Sequence, residues 1–387
     1  MFAEETRQWA AEVLHTCEAK YSWVADKHCH GIPYTTDPDG NYDNRADEGG
    51  TWAVNDGINW WTNGFWGGIL WHLYASTGKE RFAHIATHSE QLLDRSFEQF
   101  YGLHHDVGFM WIPTAVANYT LTGNPESRKR ALHAASLLIG RFNLSGRFLR
   151  AWNDHDDVDT RGWAIIDSML NIPLLNWATE ETCDPRYRQV AMAHADAVMQ
   201  SFIRDDGSSD HIVEFDPSTG ERLRAHGGQG YRNGSAWTRG QGWAIYGFAI
   251  AHAQTGKSDY LHTAERVADY FISRIPASGL IPIDFDQPVD EPWEDSCGAA
   301  VAACGLLKLA KHCAGAAGER YAAAAVAILR ALDEYRSDYT GGCDAILTHC
   351  SAAYDSTHAR HITMVYADYY YIEALSKIVN GTSAFLW

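Results

Sequence analysis

Trp237-Thr238-Arg239-Gly240-Gln241-Gly242-Trp243 is a tryptophan- and glycine-rich start that runs on into an apolar helix pattern, and it follows a charged, amphipathic segment at 185–203. The same two-part unit recurs along the chain. Aromatic or glycine-rich starts also stand at Trp61-Thr62-Asn63-Gly64-Phe65-Trp66, His105-Asp106-Val107-Gly108-Phe109-Met110 and Arg161-Gly162-Trp163-Ala164-Ile165-Ile166-Asp167. Two more are Trp293-Glu294-Asp295-Ser296-Cys297-Gly298 and Tyr366-Ala367-Asp368-Tyr369-Tyr370-Tyr371. Their charged partners lie at 3–21, 79–98, 126–142, 258–275 and 319–337, where apolar residues keep three- and four-residue spacing, as in Arg128, Leu132, Ala135, Leu138 and Ile139. A helix that is apolar nearly all round must be buried, and a one-faced helix covers it, so six such pairs predict an inner ring wrapped by an outer ring. The expected fold is an all-α (α/α)6 barrel, a six-hairpin toroid. Twelve helices of about 15 residues plus loops account for the length as a single domain, 1–387.

Two connections are too long for simple turns. Within 204–236, Ile212-Val213-Glu214-Phe215 followed by Asp216-Pro217-Ser218-Thr219-Gly220 predicts a β-hairpin and then a glycine-rich loop. The other is 338–363, and long loops over one mouth of a barrel are natural places for binding residues.

Composition narrows the class of partner. Hydrophobic residues make up 46% and charged residues 21%, which supports a globular core and excludes a disordered chain. The longest run of apolar residues and glycine, Gly298 to Leu307, is half of the ~20 residues that a spanning helix needs, so no membrane span is expected. With 31 basic and 49 acidic residues the net charge is −18, and no Lys/Arg cluster occurs, so nucleic acid and anionic membranes are poor partners. Met1 to Tyr21 intersperses Glu4, Glu5, Arg7, Glu12 and Lys20 with apolar positions and reads as a first helix rather than a signal peptide. Eight cysteines without a CxxC pair predict reduced thiols and a cytoplasmic protein, or a periplasmic one if a leader was removed. A monomer or homodimer is expected.

The inner-helix starts combine tryptophan with aspartate, glutamine and arginine, a composition suited to sugar: indole faces stack on pyranose C–H faces while carboxylates and amides hold hydroxyls. Trp60, Trp61, Trp66, Trp152, Trp163, Trp237 and Trp243 are the candidates, with core packing as the competing role. Asp106 and Asp167 each fall at an inner-helix start, so the barrel can bring them to one mouth. Two apposed carboxylates do not both ionise cheaply; one keeps a proton near neutral pH while its partner stays charged. Asp106 suits a helix N-cap equally well, whereas Asp167, beside Ile165, Ile166, Met169 and Leu170, suits a cap less. Neither His104 and His105 nor the pair His358 and His361 has ligand spacing of the HExxH kind, and no metal or cofactor is expected. The acidic run Asp154 to Asp159 lacks the glycine and closing glutamate of a calcium loop and reads as a solvated loop.

Taken in order, these stretches resemble the unsaturated glucuronyl hydrolases, glycoside hydrolase family 88. To those at Trp61, His105, Trp237 and Tyr366 are added Ile166-Asp167-Ser168-Met169-Leu170-Asn171, Asp206-Gly207-Ser208-Ser209-Asp210-His211, Phe215-Asp216-Pro217-Ser218-Thr219-Gly220 and Gln229-Gly230-Tyr231. The resemblance implies the (α/α)6 barrel and a substrate class: oligosaccharides carrying at the non-reducing end the C4=C5 unsaturated uronic acid left by polysaccharide lyases. It further implies Asp167 as general acid/base, Asp106 as the second essential carboxylate, and Trp60, His105, Trp152, His211, Gln229, Arg239 and Trp243 as residues lining the sugar site. The implied reaction is hydration of the vinyl ether rather than direct attack at the anomeric carbon.

The sequence departs from the family pattern at Ala225-His226-Gly227-Gly228, where a threonine-containing stretch is expected, and at Tyr366-Ala367-Asp368, which replaces tryptophan-glycine-aspartate. Arg360 and His361 stand where acidic or small polar residues are more common and are expected to meet a second anionic group, such as a sulfate, on the adjoining sugar. Alternatives on the same fold are an unsaturated rhamnogalacturonyl hydrolase and an inverting glycosidase with Asp106 and Asp167 as base and acid. A carbohydrate-binding protein without activity is the alternative outside enzymes.

Overall fold

The computed structural model describes residues 2–46, 57–153 and 158–381, so the part of the acidic run at 154–157 lies outside the described residues. Six outer helices are α1 (Glu4–Lys27), α3 (Glu80–Leu92), α5 (Pro125–Ile139), α7 (Arg186–Ser201), α9 (Ser258–Ser273) and α11 (Ala316–Tyr335). Alternating with them are the inner helices α2 (Phe65–Thr77), α4 (Val107–Trp111, extended through Ile112–Val116 and Ala117–Thr122), α6 (Pro173–Thr182), α8 (Thr238–Thr255), α10 (Ser296–Ala310) and α12 (Val365–Asn380). Each inner helix packs on the next, and α12 packs on α2 to close the ring. The toroid expected from the repeated pattern is therefore the architecture.

The two rings differ as their sequences require. Every residue of α8 from Thr238 to Ala251 is buried, and so is every residue of α10 except Lys308; α9 buries one face, through Tyr260, Thr263, Ala264, Val267, Ala268 and Phe271. Small residues set the spacing inside: a Cβ on Gly305 would stand 2.9 Å from the Tyr246 backbone nitrogen, so α10 and α8 approach at that point only because the side chain is absent.

One expectation fails locally. The third glycine-aromatic start does not open as helix: Trp163–Ile165 is a β-strand (β3), followed by a 3-10 turn at Ile166–Leu170 before α6 begins. Its partner lies across the barrel mouth, since β3 pairs antiparallel with β4 (Ile212–Phe215) in the register Trp163 to Glu214, Ala164 to Val213 and Ile165 to Ile212. The predicted hairpin is β4 with β5 (Arg222–His226), so the insertion is a three-stranded sheet that recruits the segment before Asp167. A second, two-stranded ribbon, β1 (Phe142–Asn143) with β2 (Phe148–Leu149), was not expected from the sequence.

The long 338–363 connection is anchored from beneath. Asp368 on α12 accepts the backbone N–H groups of Ile346 and Leu347, each at 2.7 Å, and the hydroxyls of Tyr21 at 2.6 Å and Tyr42 at 3.2 Å. Lys20 on α1 donates to the carbonyls of Asp338 and Ala345. Among the described residues no helix is long and apolar enough to cross a membrane, and all eight cysteines are free thiols.

Candidate active site

Asp106 sits at the N-cap position of α4, yet its side chain makes no capping hydrogen bond. Instead its Oδ1 accepts a hydrogen bond from Asn171 Nδ2 at 3.3 Å, while His105 Nε2 lies 3.0 Å from Oδ1 and His104 Nδ1 3.2 Å from Oδ2 as close charge contacts. Burial works to raise its pKa, but the His105 charge and the contacts from both histidines outweigh it and hold the carboxyl well below the usual range. Asp106 is thus the group that stays ionised.

Asp167 is its opposite. It lies in the 3-10 turn after β3, with its side chain 14% exposed and Oδ1 buried without a hydrogen-bond partner. Burial and the neighbouring Asp106 charge push its pKa up to about 8 against the opposing pull of Arg239, so the carboxyl is protonated at neutral pH. Asn171 ties the two acids together: its amide reaches Asp106 Oδ1 and, at 3.2 Å, the Asp167 carbonyl, while its Oδ1 accepts the Phe109 N–H at 2.7 Å. The structure brings together the pair expected from the sequence, and their surroundings push the two carboxyls in opposite directions, Asp167 up and Asp106 down.

His211 faces this pair from the start of β4, its Nε2 buried, unpartnered and 3.9 Å from Asp167 Oδ1. The sheet delivers it, because the Ile166 N–H donates to the His211 carbonyl at 3.0 Å. Its Nδ1 lies 3.0 Å from the Gln229 N–H and 3.1 Å from the Gly227 carbonyl, satisfied in either tautomer. That approach needs Gly228, which has φ +56° and where a Cβ would fall 2.1 Å from the imidazole. Burial lowers the His211 pKa to about 3, so the ring is neutral.

Arg239 is fully buried and already engaged. Nη1 donates to Asp295 and to the Ser351 carbonyl, both at 2.7 Å, and Nη2 donates to Gln229 Oε1 at 2.9 Å and to the Ala352 carbonyl at 2.7 Å. It therefore fixes Gln229 and the 351–352 loop and supplies a field, rather than offering a free fork to a ligand. Gln229, with its carbonyl oxygen occupied, keeps Nε2 as a donor.

The tryptophans divide. Trp66, Trp237 and Trp243 are core residues; the Trp243 ring lies against Phe109 and Tyr370 and exposes no face to a sugar, though its Nε1 has no partner. Trp60, Trp61, Trp152 and Trp163 are half-buried. Trp60 stands edge-on to Tyr34 beneath the Arg45 guanidinium, and Trp152 stands edge-on to His105. His105 itself is 1% exposed, with Nδ1 2.7 Å from the Ala151 carbonyl and Nε2 against Asp106. Both its nitrogens face the protein, so it supports the site rather than lining it.

His361 does not suit the anion-binding role expected of it. Its Nε2 accepts the Glu294 N–H at 3.0 Å, which requires an unprotonated nitrogen, and burial beside His349 lowers its pKa further. Arg360 remains available, half-buried, its guanidinium 4.0 Å over the Trp293 ring. His104, Asn171 and Asp295 carried no assigned role in the sequence; Asn171 and Asp295 reach Asp106 and Arg239 across 65 and 56 residues, whereas His104 contacts Asp106 within its own segment. Of the two departures, His226 on β5 stacks on Trp163 and pairs with Glu214 at 2.9 Å, and Tyr366 is buried against Trp61.

The Glycosyl Hydrolase Family 88 model matches residues 26–387. The chain is 36% identical over 346 residues to an unsaturated glucuronyl hydrolase of Bacillus sp. (strain GL1), covering 88% of this chain and 91% of that protein. It is also 36% identical over 325 residues to an unsaturated chondroitin disaccharide hydrolase of Streptococcus pneumoniae, covering 82% and 81%. The crystal structure of the Bacillus sp. GL1 unsaturated glucuronyl hydrolase, described as responsible for the degradation of glycosaminoglycan, superposes with a TM-score of 0.89 at 34% identity, over 98% of this chain and 99% of that one.

Proposed function

The chain belongs to Glycosyl Hydrolase Family 88, and from that premise we propose that it removes the Δ4,5-unsaturated glucuronic acid from the non-reducing end of lyase-generated oligosaccharides of glycosaminoglycan or ulvan type. Asp167 is the general acid and then the general base. The observation that carries this reading is the buried, unpartnered Oδ1 of Asp167 beside Asp106, with burial and the Asp106 charge pushing its pKa up to about 8.

Asp167 donates its proton to C4 of the vinyl ether, and positive charge develops at C5, shared with the ring oxygen. Asp106, held anionic, favours that charge in a site largely closed to water. Asp167, now a carboxylate, takes a proton from a water whose oxygen bonds to C5, which restores the acid and forms a hemiketal. Ring opening of the hemiketal turns the anomeric centre into a hemiacetal, which releases the remaining sugar as an alcohol. One carboxyl that alternates between acid and base suffices. His211 Nε2 and Gln229 Nε2 are the donors for the uronate and its hydroxyls, Trp60 and Trp152 the walls, and Arg360 the contact for an anionic group on the next sugar.

The test is decay of the C4=C5 ultraviolet absorbance when the protein meets unsaturated disaccharides from chondroitin, heparin, hyaluronan and ulvan digests. Decay with the native protein and none with Asp167→Asn is the expected result. Equal decay with the variant would remove Asp167 from the chemistry, and no decay on any substrate would point to a rhamnogalacturonan substrate or a binding role.

A further inference from the structure

Two arginines are buried among the described residues, Arg239 and Arg45, each 2% exposed. Arg239 commits its donors to Asp295, Gln229 and the Ser351 and Ala352 carbonyls. Arg45 makes one hydrogen bond, from Nε to Asp43 Oδ2 at 3.0 Å, and its Nη1 is buried without a partner. Asp43 in turn accepts the Tyr34 and Thr35 N–H groups at Oδ1, at 2.8 and 3.1 Å, so its contact with the guanidinium is at the Nε edge. A buried guanidinium ordinarily has its donors taken up, because each one left open has given up its water for nothing.

Arg45 adjoins the wall of the proposed sugar site. Its guanidinium carbon lies 4.7 Å from the centre of the Tyr34 ring and 5.3 Å from that of Trp60, and the two rings meet edge-on at 5.4 Å. Trp60 packs on Trp61, whose ring is 5.4 Å from Phe109, on the segment that carries Asp106. Tyr34 is also where the fields of the two buried arginines overlap: burial pushes its pKa up to about 12 against the pull of Arg45 and Arg239. The layer is anchored from α12, since the Val365 N–H donates to the Tyr34 carbonyl at 2.8 Å, and the Thr35 hydroxyl donates to the Thr363 carbonyl at 2.7 Å.

Charge decides the class of ligand. A chain of net charge −18 presents an anionic sugar with an unfavourable field, Arg239 is already engaged, and burial keeps His211 neutral. The geometry points to Arg45 as a specificity-determining residue, whose Nη1 donates to the carboxylate of the unsaturated uronate as that sugar settles against Trp60. Cation–π contact with Tyr34 and Trp60 holds the guanidinium in place, and the Asp43 bond at Nε leaves Nη1 for the ligand. This rests on the hydration reading above for the identity of the sugar. Arg360 is left for an anion on the next one.

The experiment measures binding without turnover, by calorimetry on the full chain carrying Asp167→Asn. The ligands are the unsulfated unsaturated chondroitin disaccharide, whose one anion is the uronate carboxylate, and its methyl ester. The acid is expected to bind about tenfold tighter than the ester. Adding Arg45→Gln is expected to weaken the acid by about tenfold and the ester by less than about threefold. Arg45→Lys keeps a cation for Asp43 but has no second nitrogen for the ligand, and the same loss confined to the acid is expected of it. An equal loss for acid and ester would mean that Arg45 only packs against Trp60, and a loss seen only with sulfated disaccharides would mean that it meets a sulfate; either result overturns the inference. Equal binding of acid and ester with Arg45 intact overturns it too, with no substitution at that position. Failure to bind either form would bring down the hydration reading along with it.

Discussion

Asp368 and Asp167 are both enclosed aspartates near the start of inner-ring segments, and burial raises the pKa of each. Asp368 is met by four hydrogen bonds, two from backbone and two from tyrosine, whereas Asp167 keeps one buried oxygen with none. Enclosure alone therefore does not mark chemistry in this barrel. What separates these two acids is the set of partners, complete at Asp368, which clamps the fold, and open at Asp167, the acid proposed to exchange a proton.

The sharpest way to break this contrast is to make each acid an amide. Asp167→Asn is expected to abolish activity by about 10³-fold or more while the protein stays folded. Asp368→Asn is expected to cost about 3 kcal/mol of stability, measured by urea unfolding, because an amide nitrogen cannot accept from the groups that surround it. An Asp368 variant as stable as the native protein would dissolve the distinction.

The pH dependence sharpens it. Asp167 must be protonated to act, so activity is expected to fall as pH rises through about 8. Its folded pKa lies above the unfolded value, so the stability it contributes is present below about pH 4 and is lost as pH rises to about 8. Asp167→Asn lacks that loss, and its thermal midpoint should gain on the native protein across this interval and then run parallel to it. A constant difference at all pH values would mean that Asp167 is not protonated in the fold. The smallest effect is expected at the rim, where Arg360 is stacked and half-buried. Arg360→Ala should reduce any preference for sulfated over unsulfated disaccharide by about tenfold with little change in stability, and an unchanged preference would remove Arg360 from substrate contact.

Much of this was legible in the sequence because it is local. Helical periodicity, the alternation of all-round apolar with one-faced segments and the glycine-aromatic starts are set by neighbours a few residues apart, and they specify the toroid. Asp106 and Asp167 were legible as a pair once the barrel was assumed. Which of them is pushed toward holding the proton was not, since that depends on burial and on Arg239 and Asn171, which reach the pair from distant segments. Arg161 to Ile166 looked like a helix start because its actual partner, Ile212 to Phe215, lies some fifty residues further on. His361 looked like a cation because the Glu294 N–H that occupies it comes from 67 residues away.

The pairing of β3 with β4 limits how this chain can tolerate insertions. Side chains alternate along a strand, so a single residue added or deleted within 163–165 or 212–214 would break the register and shift His211, just before β4, relative to the turn that carries Asp167. The turn at Asp216 to Gly220 lies beyond the paired residues of β3 and is tied instead to the Phe142–Leu149 ribbon, where Asn143 donates to the Pro217 carbonyl at 2.8 Å. A change of length there would disturb the ribbon contact and leave the β3–β4 register, and with it the acid, in place.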